Sequence, residues 1–415
     1  MPTPDLSLVQ KLYAKFSTEN PATPQAGEKI SPMPFTLASE DRRLEFFLET
    51  GNLLLKQGAV AAFSLAGGQG SRLGFDGPKG AYDFGLPSHA TLFRLQARRL
   101  MNLGAKAGKP IPWAIMTSPL NRQATVRHFE EHSYFGYNRD YIRFFDQGTL
   151  CTLRPDGTPL TDENGNYVEV PDGNGGCFRA LALSGTLAWL VEKGVRFVFL
   201  HNIDNALVKM CDPAFVGALA ANGIAPCAAK VVHKLTPDEK IGIFAYRNSK
   251  PTVLEYSDIS DELRTARLAD GSLEYDGGNT GMYVFRMDAL RKISTQELPW
   301  HVARKTVNGV EGCYKFEQFL LDVFPLLGKL LPYGVEREDE FAPIKNATGS
   351  DSPKSARTML GRLHRYWLEK AKIETKPGQY YEISPRLTYA GENLSEEVFK
   401  RELGRGIFEF SESPV

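Results

Sequence analysis

Residues Val60 to Gly80 read VAAFSLAGGQGSRLGFDGPKG, a short apolar run that empties into a loop holding glycine at 67, 68, 70, 74, 77 and 80. Such a loop lets backbone N–H groups approach a ligand with no side chain in the way, and glycine tolerates the positive φ that tight turns demand. An anion is the natural guest, and a phosphate chain above all. Two familiar phosphate loops fail on spacing. The dinucleotide fingerprint needs G-x-G-x-x-G, and the interval from Gly70 to Gly74 is one residue too long. The nucleotide P-loop needs glycine before lysine and Ser or Thr after it, whereas Lys79 stands between Pro78 and Gly80. What remains is G-G-x-G-S-R-L-G followed by P-K-G, in which Arg72 and Lys79 add two cations to the backbone donors.

Working outward, short apolar runs alternate with amphipathic stretches: Val60 to Leu65, Thr91 to Leu103, Ile111 to Thr117, Asn121 to His132, Ile142 to Phe145, Ser184 to Lys193, Phe197 to Leu200 and Pro213 to Asn222. This alternation predicts an α/β fold, a doubly wound, mostly parallel Rossmann-like sheet with helices on both faces. Ligands of such sheets sit at the carboxyl ends of the strands. The polar tips obey that rule: the glycine loop, Met116-Thr-Ser118, Gln147-Gly148 and Asp204-Asn205 each follow an apolar run. Residues 226–286 read instead as antiparallel strands, and 151–178, with Asp156-Gly and Asn164-Gly, as hairpin and loop. Helical periodicity over Ser7 to Thr18 and Ser39 to Gln57 predicts an N-terminal helical segment, 1–57, ahead of a catalytic domain over 58–345 and a small C-terminal domain over 346–415.

Composition narrows the function class. Apolar residues make up 42% and charged residues 24%, and Lys plus Arg equals Asp plus Glu at 49 each. A balanced chain offers no global field for nucleic acid or anionic membrane, so any anion site is local. No apolar stretch reaches the ~20 residues of a bilayer crossing, and the first ten residues lack a basic, apolar leader pattern. A cytoplasmic setting is expected, with the five cysteines reduced and the sequons at Asn346 and Asn393 unmodified. No obligate protein partner is implied.

The loop resembles that of the sugar-nucleotide pyrophosphorylases, and among them the eukaryotic-type UDP-N-acetylhexosamine pyrophosphorylases. Further stretches are similar to that family in the same order: Trp113 to Ser118, Phe144 to Gly148, Pro171 to Gly176, Ile203 to Asn205, Val253 to Ser257, Trp300 to Arg304, Arg337 to Asn346, Glu382 to Pro385 and Tyr389 to Glu392. Together they span about residues 55 to 395. The resemblance implies transfer of uridylyl from UTP to N-acetylglucosamine 1-phosphate with Mg²⁺ as cofactor. It assigns Arg72 and Lys79 to the triphosphate, Lys345 to the sugar phosphate, and Asp204 to the metal. Gly67, Gly68, Met116, Gln147 and Gly173 would hold the nucleotide, and Asn174, Glu255, Tyr256 and Asn279 the sugar. One stretch departs from the pattern. Where the family suggests N-x-A-N-H, this chain has Gly278-Asn-Thr-Gly-Met282, so glucose 1-phosphate or a broader sugar range is the alternative acceptor.

Each residue also has a plainer reading. Asp204-Asn205 caps a turn, Lys345 is a solvated charge beside Arg337 to Glu340, Tyr256 is core, and Gln147 and Asn174 satisfy loop backbone. Two rival functions stay in view. His128-Phe-Glu-Glu-His132 formally satisfies the H-x-x-E-H zinc-protease pattern. A protein that binds a sugar nucleotide without turning it over is the other, though retention of Arg72, Lys79, Asp204 and Lys345 argues against it.

Overall fold

The run Val60–Leu65 forms a strand whose six residues are all buried. The structure, a computed structural model, describes residues 6–18 and 28–410. The strand pairs in parallel with Trp113–Thr117 on one side and Phe197–Asn202 on the other, and Trp113–Thr117 pairs in parallel with Ile142–Asp146. Leu65 lies opposite both Met116 and Asn202, and Thr117 opposite Asp146, so four chains leave the sheet at one level.

Side chains help hold that register. Trp113 Nε1 donates to Ser64 Oγ at 2.8 Å, and Ser64 Oγ lies 2.7 Å from His201 Nε2. His201 Nδ1 in turn lies 2.8 Å from the Asn202 carbonyl. Burial pushes the His201 pKa down to about 4, so the ring is neutral. A neutral ring that donates from Nδ1 accepts the serine hydroxyl at Nε2, which satisfies the whole buried relay.

Alternation along the central strand sends Val60 and Ala62 to one face and Ala61, Phe63 and Leu65 to the other. The first face is covered by the helices Leu44–Lys56, Leu92–Ala107 and Pro213–Asn222, which supply Phe47, Phe93 and Phe215. The second is covered by Cys177–Leu183, Thr186–Glu192 and Met287–Ile293. Burying one phenylalanine such as Phe63 contributes about 1.5–3 kcal/mol. Local chemistry ends the helices. Thr91 accepts the Arg94 N–H and Gly108 closes that helix at φ +72°, while Asp212 accepts the Ala214 N–H ahead of a helix that opens with Pro213.

The two N-terminal helices go to different places. Leu44–Lys56 packs on Pro213–Asn222 so closely that a Cβ on Gly51 would lie 1.8 Å from the Pro213 carbonyl oxygen, and one on Gly217 1.8 Å from that of Phe47. Leu6–Thr18 instead packs Val9 and Leu12 against Leu150, Tyr314 and Phe316.

The other half of the ten-stranded sheet is mixed, as the residues after 226 suggest. Gly277–Arg286 runs antiparallel to Phe197–Asn202 and to Cys227–His233, and Ile243–Arg247 is flanked antiparallel by Lys250–Leu254 and Ile30–Pro32. Leu331–Gly334 returns parallel to Cys227–His233. The sequence reading missed one hairpin, Trp300–Val307 with Val310–Gln318. Its turn, Asn308-Gly309, has positive φ at both residues, the Asn-Gly signal of a tight hairpin. Toward the C-terminus the helix Pro353–Lys370, capped reciprocally by Ser352 and Ser355, packs beside the pair Tyr380–Ile383 and Ile407–Phe410. All five cysteines are free and buried. No helix among the described residues is long and apolar enough to cross a membrane.

Candidate functional site

The glycine loop folds back on itself beyond the central strand. Gly70 N donates to the Gly77 carbonyl at 2.9 Å, and Lys79 N donates to that of Gly68 at 3.1 Å. The next loop braces it from the side. Ser118 Oγ donates to the Gly67 carbonyl at 3.0 Å, and Asn121 Nδ2 to those of Ala66 and Gly68 at 2.9 and 3.2 Å. The carbonyls thus point into the protein. A Cβ on Gly67 would lie 2.3 Å from Gln147 Oε1, so any side chain there would push the glutamine aside. Gly68 is exposed, and a Cβ there would meet nothing within 4 Å. That open backbone is where a ligand can come close.

Lys79 Nζ lies 3.1 Å from Asp204 Oδ2, with both side chains largely covered, at 16% and 17% exposure. The pair joins the glycine loop to the turn after Phe197–Asn202. That turn is held from two directions. Gln96 Nε2 donates to the Ile203 carbonyl at 3.1 Å and Arg99 Nη2 to that of Ala206 at 2.7 Å, both from the Leu92–Ala107 helix. Asn205 Oδ1 accepts the N–H of Leu207 and of Ala342, and its Nδ2 donates to the Glu340 carbonyl. Ile344 N donates to the Asp204 carbonyl at 2.9 Å, so Lys345 leaves the chain directly beside the carboxylate turn. Its ammonium lies 3.6 Å from Asp351 Oδ2 at the surface. Arg72 is exposed and makes no ion pair among the described residues.

Beneath this seam, Lys230 is fully buried between Asp212, at 2.6 Å, and Glu340. Lys209 completes the cluster at 3.3 Å from Glu340. Burial opposes charge on Lys209 and on Asp212, but the opposite charges prevail. The Lys209 pKa rises to about 12, and the Asp212 carboxyl falls below its usual range.

Among the residues that the resemblance assigns to the nucleotide, Met116 lies in the core with Phe63 and Phe145, and its carbonyl accepts the Ala66 N–H. Gln147 lies across Gly67, its backbone N–H bonded to the Thr117 carbonyl. Gly173 has φ +91°, and a Cβ on it would meet the Gln318 carbonyl oxygen at 2.3 Å, so glycine is required there. Its neighbour Asp172 N bonds the Gly148 carbonyl, which ties the 172–176 loop to the strand end at 146–148. These loops share a cavity of about 440 Å³. Asn174 Oδ1 accepts the Leu320 N–H, which matches its plainer role as a satisfier of loop backbone.

Among the residues that the resemblance assigns to the sugar, burial and the Asp258 carboxylate push the Glu255 carboxyl above its usual range, against the pull of the Lys345 ammonium. Tyr256 is 50% exposed, so it is not core. Asn279 sits at a bulge in Gly277–Arg286 and accepts from Tyr283 Oη and Gly281 N, which leaves its amide nitrogen free to donate. At the departure, Gly281 holds a left-handed backbone. Its φ is +70°, and a Cβ would lie 2.4 Å from Asn202 Nδ2. A larger apolar cavity, about 600 Å³, lies between Arg337–Glu340 and the Pro353–Lys370 helix, with Asp351 among its lining residues.

The protease pattern comes to nothing as a metal centre. Among the described residues no group of three His, Cys, Asp or Glu side chains could hold an ion. His128 rests against Phe93 and Phe135, and burial, aided by His132, lowers its pKa to about 4. Asn205 caps its turn as the plainer reading expects, by accepting the Leu207 N–H, whereas the bracing residues Gln96, Arg99 and Asn121 and the buried Lys230 carry no clear signal in the sequence reading. A lysine inside the apolar run Cys227 to Val232 is the nearest to one.

The profile of the UTP–glucose-1-phosphate uridylyltransferase family matches residues 7–401. The chain is 39% identical to the UDP-N-acetylglucosamine pyrophosphorylase of Saccharomyces cerevisiae, over 93% of this chain and 87% of that one. It is 37% identical to UDP-N-acetylglucosamine diphosphorylase 1 of Arabidopsis thaliana, over 88% of this chain and 78% of that one. The crystal structure of the uridine diphosphate N-acetylglucosamine pyrophosphorylase from Trypanosoma brucei is similar with a TM-score of 0.82 and 27% identity, covering 96% of this chain and 87% of that one.

Proposed function

Because the chain belongs to the UTP–glucose-1-phosphate uridylyltransferase family, we propose that it transfers the uridylyl group of UTP to N-acetylglucosamine 1-phosphate, reversibly, with release of pyrophosphate. It is a nucleotidyltransferase. One observation carries the mechanism: Lys79 and Asp204, of opposite charge and 3.1 Å apart, stand at the ends of adjacent strands beside an open glycine backbone.

An oxygen of the sugar phosphate attacks the α-phosphorus in line. The bond from that phosphorus to the bridging oxygen breaks, and pyrophosphate leaves with the electron pair. The nucleophile is already an anion, so no base has to remove a proton. The protein's task is positioning and charge neutralisation. Arg72 and Lys79 bind the triphosphate and then the leaving pyrophosphate. Lys345 holds the acceptor phosphate, and its placement next to the Asp204 turn brings nucleophile and electrophile to one side of the loop. Gln147 pairs with the uracil edge, supported by the close backbone at Gly67 and Gly173, while Met116 shapes that wall from the core. Glu255, Tyr256 and Asn279 read sugar hydroxyls and the acetamido group. Asn174 acts through the loop it holds.

A magnesium ion fits this donor set. Mg²⁺ is bound through one or two carboxylates with substrate phosphates completing its shell, and Asp204, paired here with Lys79, offers one carboxylate beside the phosphate loop. Bound there, the ion would neutralise phosphate oxygens at the reacting end of the nucleotide. The five free, buried cysteines support a cytoplasmic setting.

Pyrophosphate release from UTP, measured against a panel of sugar 1-phosphates, tests the reading. N-acetylglucosamine 1-phosphate should be fastest. Faster turnover of glucose 1-phosphate would replace the acceptor and keep the reaction, and release with none of the panel would remove the proposal.

A further inference from the structure

A cationic cavity, about 690 Å³, opens where the Leu92–Ala107 helix meets the C-terminal strands. Arg94 and Arg98 enter it from that helix, Arg386 from the loop after Tyr380–Ile383, and Arg405 from the turn before Ile407–Phe410. Two carboxylates are near, and both are engaged. Glu382 is buried and accepts from Ser88 N at 2.9 Å and Ser88 Oγ at 2.6 Å. Glu402 accepts from Arg401 Nε at 2.9 Å. Arg94 donates to the Ser88 carbonyl, while the guanidiniums of Arg98, Arg386 and Arg405 make no hydrogen bond or ion pair among the described residues. With Arg401, which holds Glu402, five cations stand against two anions, a local excess of three positive charges in a chain whose net charge is zero.

This crowding is unfavourable as it stands. Burial, then the neighbouring Arg94 charge, with Arg386 adding to it, lowers the Arg98 pKa to about 10, and Glu382 only partly offsets them. A dianion placed among forked guanidinium donors would relieve the repulsion, and the planar fork matches phosphate oxygens two at a time. Leu387 and Phe408 give one wall apolar character, suited to an organic body behind the charge. The volume falls in the range of small-molecule sites.

We propose that this cavity is a binding site for a compact phosphate-bearing metabolite, separate from the glycine loop, whose phosphate is held by Arg98, Arg386 and Arg405. The ligand would bridge the C-terminal strands to the helix that braces Ile203 and Ala206. It therefore links that domain to the Asp204 turn, and its presence does not depend on the reaction assigned above.

The test is isothermal titration of the full chain at fixed ionic strength, with phenyl phosphate and inorganic phosphate as probes. It compares the parent, Arg386→Gln with Arg405→Gln, and Arg72→Ala with Lys79→Ala. Arg386 and Arg405 are exposed, so replacing them leaves folding intact, which a thermal melt verifies. The first pair should weaken phenyl phosphate binding tenfold or more, and the glycine-loop pair should leave that binding in place. Tighter binding of phenyl phosphate than of inorganic phosphate identifies an organic phosphate as the guest. Equal or weaker binding, a smaller loss in the first pair, or a loss confined to the glycine-loop pair overturns the proposal.

Discussion

Along the parallel half of the sheet, the polar groups are fixed by neighbouring loops: Lys79 by the Gly68 carbonyl and Asp204, the glycine loop by Ser118 and Asn121, the Asp204 turn by Gln96, Arg99 and Asn205. Along the antiparallel half, Glu255 and Tyr256 project beyond a strand end, and Tyr256 is half exposed. Phosphate transfer rewards preorganised charge, since donors that need not reorganise stabilise the transition state most. Sugar recognition tolerates a looser wall. On the proposed function, the backbone that would hold the phosphates is braced by its neighbours, and the strand end that would hold the sugar is where specificity can drift.

The largest effect should come from the seam between the halves. Lys230→Met strands Asp212 and Glu340 without their shared cation, and breaking a buried pair in this way costs about 3–5 kcal/mol. Urea unfolding checks it, and a loss below about 1 kcal/mol would show that the seam is not electrostatically stitched.

Next come the side chains that the proposed function makes catalytic. Asp204→Ala and Lys345→Ala should each lower kcat by about 10²–10³-fold, the usual worth of a charge-stabilising contact. Their melting temperatures should stay near that of the parent. Tyr256→Phe and Asn279→Ala should act mainly on the KM of the sugar phosphate. Equal kcat losses on the two sides would erase the contrast between them.

Smaller again is Gly281→Ala, which forces a side chain into φ +70° against Asn202, at about 1–3 kcal/mol. Thermal melting measures it, and an unchanged melt would mean that the bulge relaxes.

The smallest effect concerns pH. Burial raises the Asp172 pKa to about 6 from 3.8, against the backbone and Arg179, and its Oδ1 is buried without a partner. An acid that holds its proton more tightly when folded loses stability as pH rises from 3.8 through 6. Asp172→Asn cannot ionise, so its stability relative to the parent should climb between pH 4 and 6 and then level off. A difference that is flat with pH would contradict the assignment of that proton.

The fold was legible wherever hydrophobic period and glycine placement coincided. The four parallel strands and their tips follow from apolar runs ending in Gly67, Met116, Gln147 and Asp204. The Trp300–Gln318 hairpin was not read although Asn308-Gly309 announces it, because its strands carry His301, Arg304, Lys305 and Glu311 on a half-exposed ribbon rather than a clear apolar run. In the site, charged residues beside glycine stood out. The braces did not, since Gln96, Arg99 and Asn121 act on backbone carbonyls far away in the chain. Only the folded structure brings those partners within reach. Met116 shows the converse: a strand-end position was identified, but the side chain points into the core.

The most direct test of the central claim is a crystal structure with a uridine nucleotide and Mg²⁺ bound. The phosphates should lie over Gly68, within reach of Arg72 and Lys79, with the metal on Asp204. A nucleotide seated away from that loop, or a metal held by other residues, would contradict it.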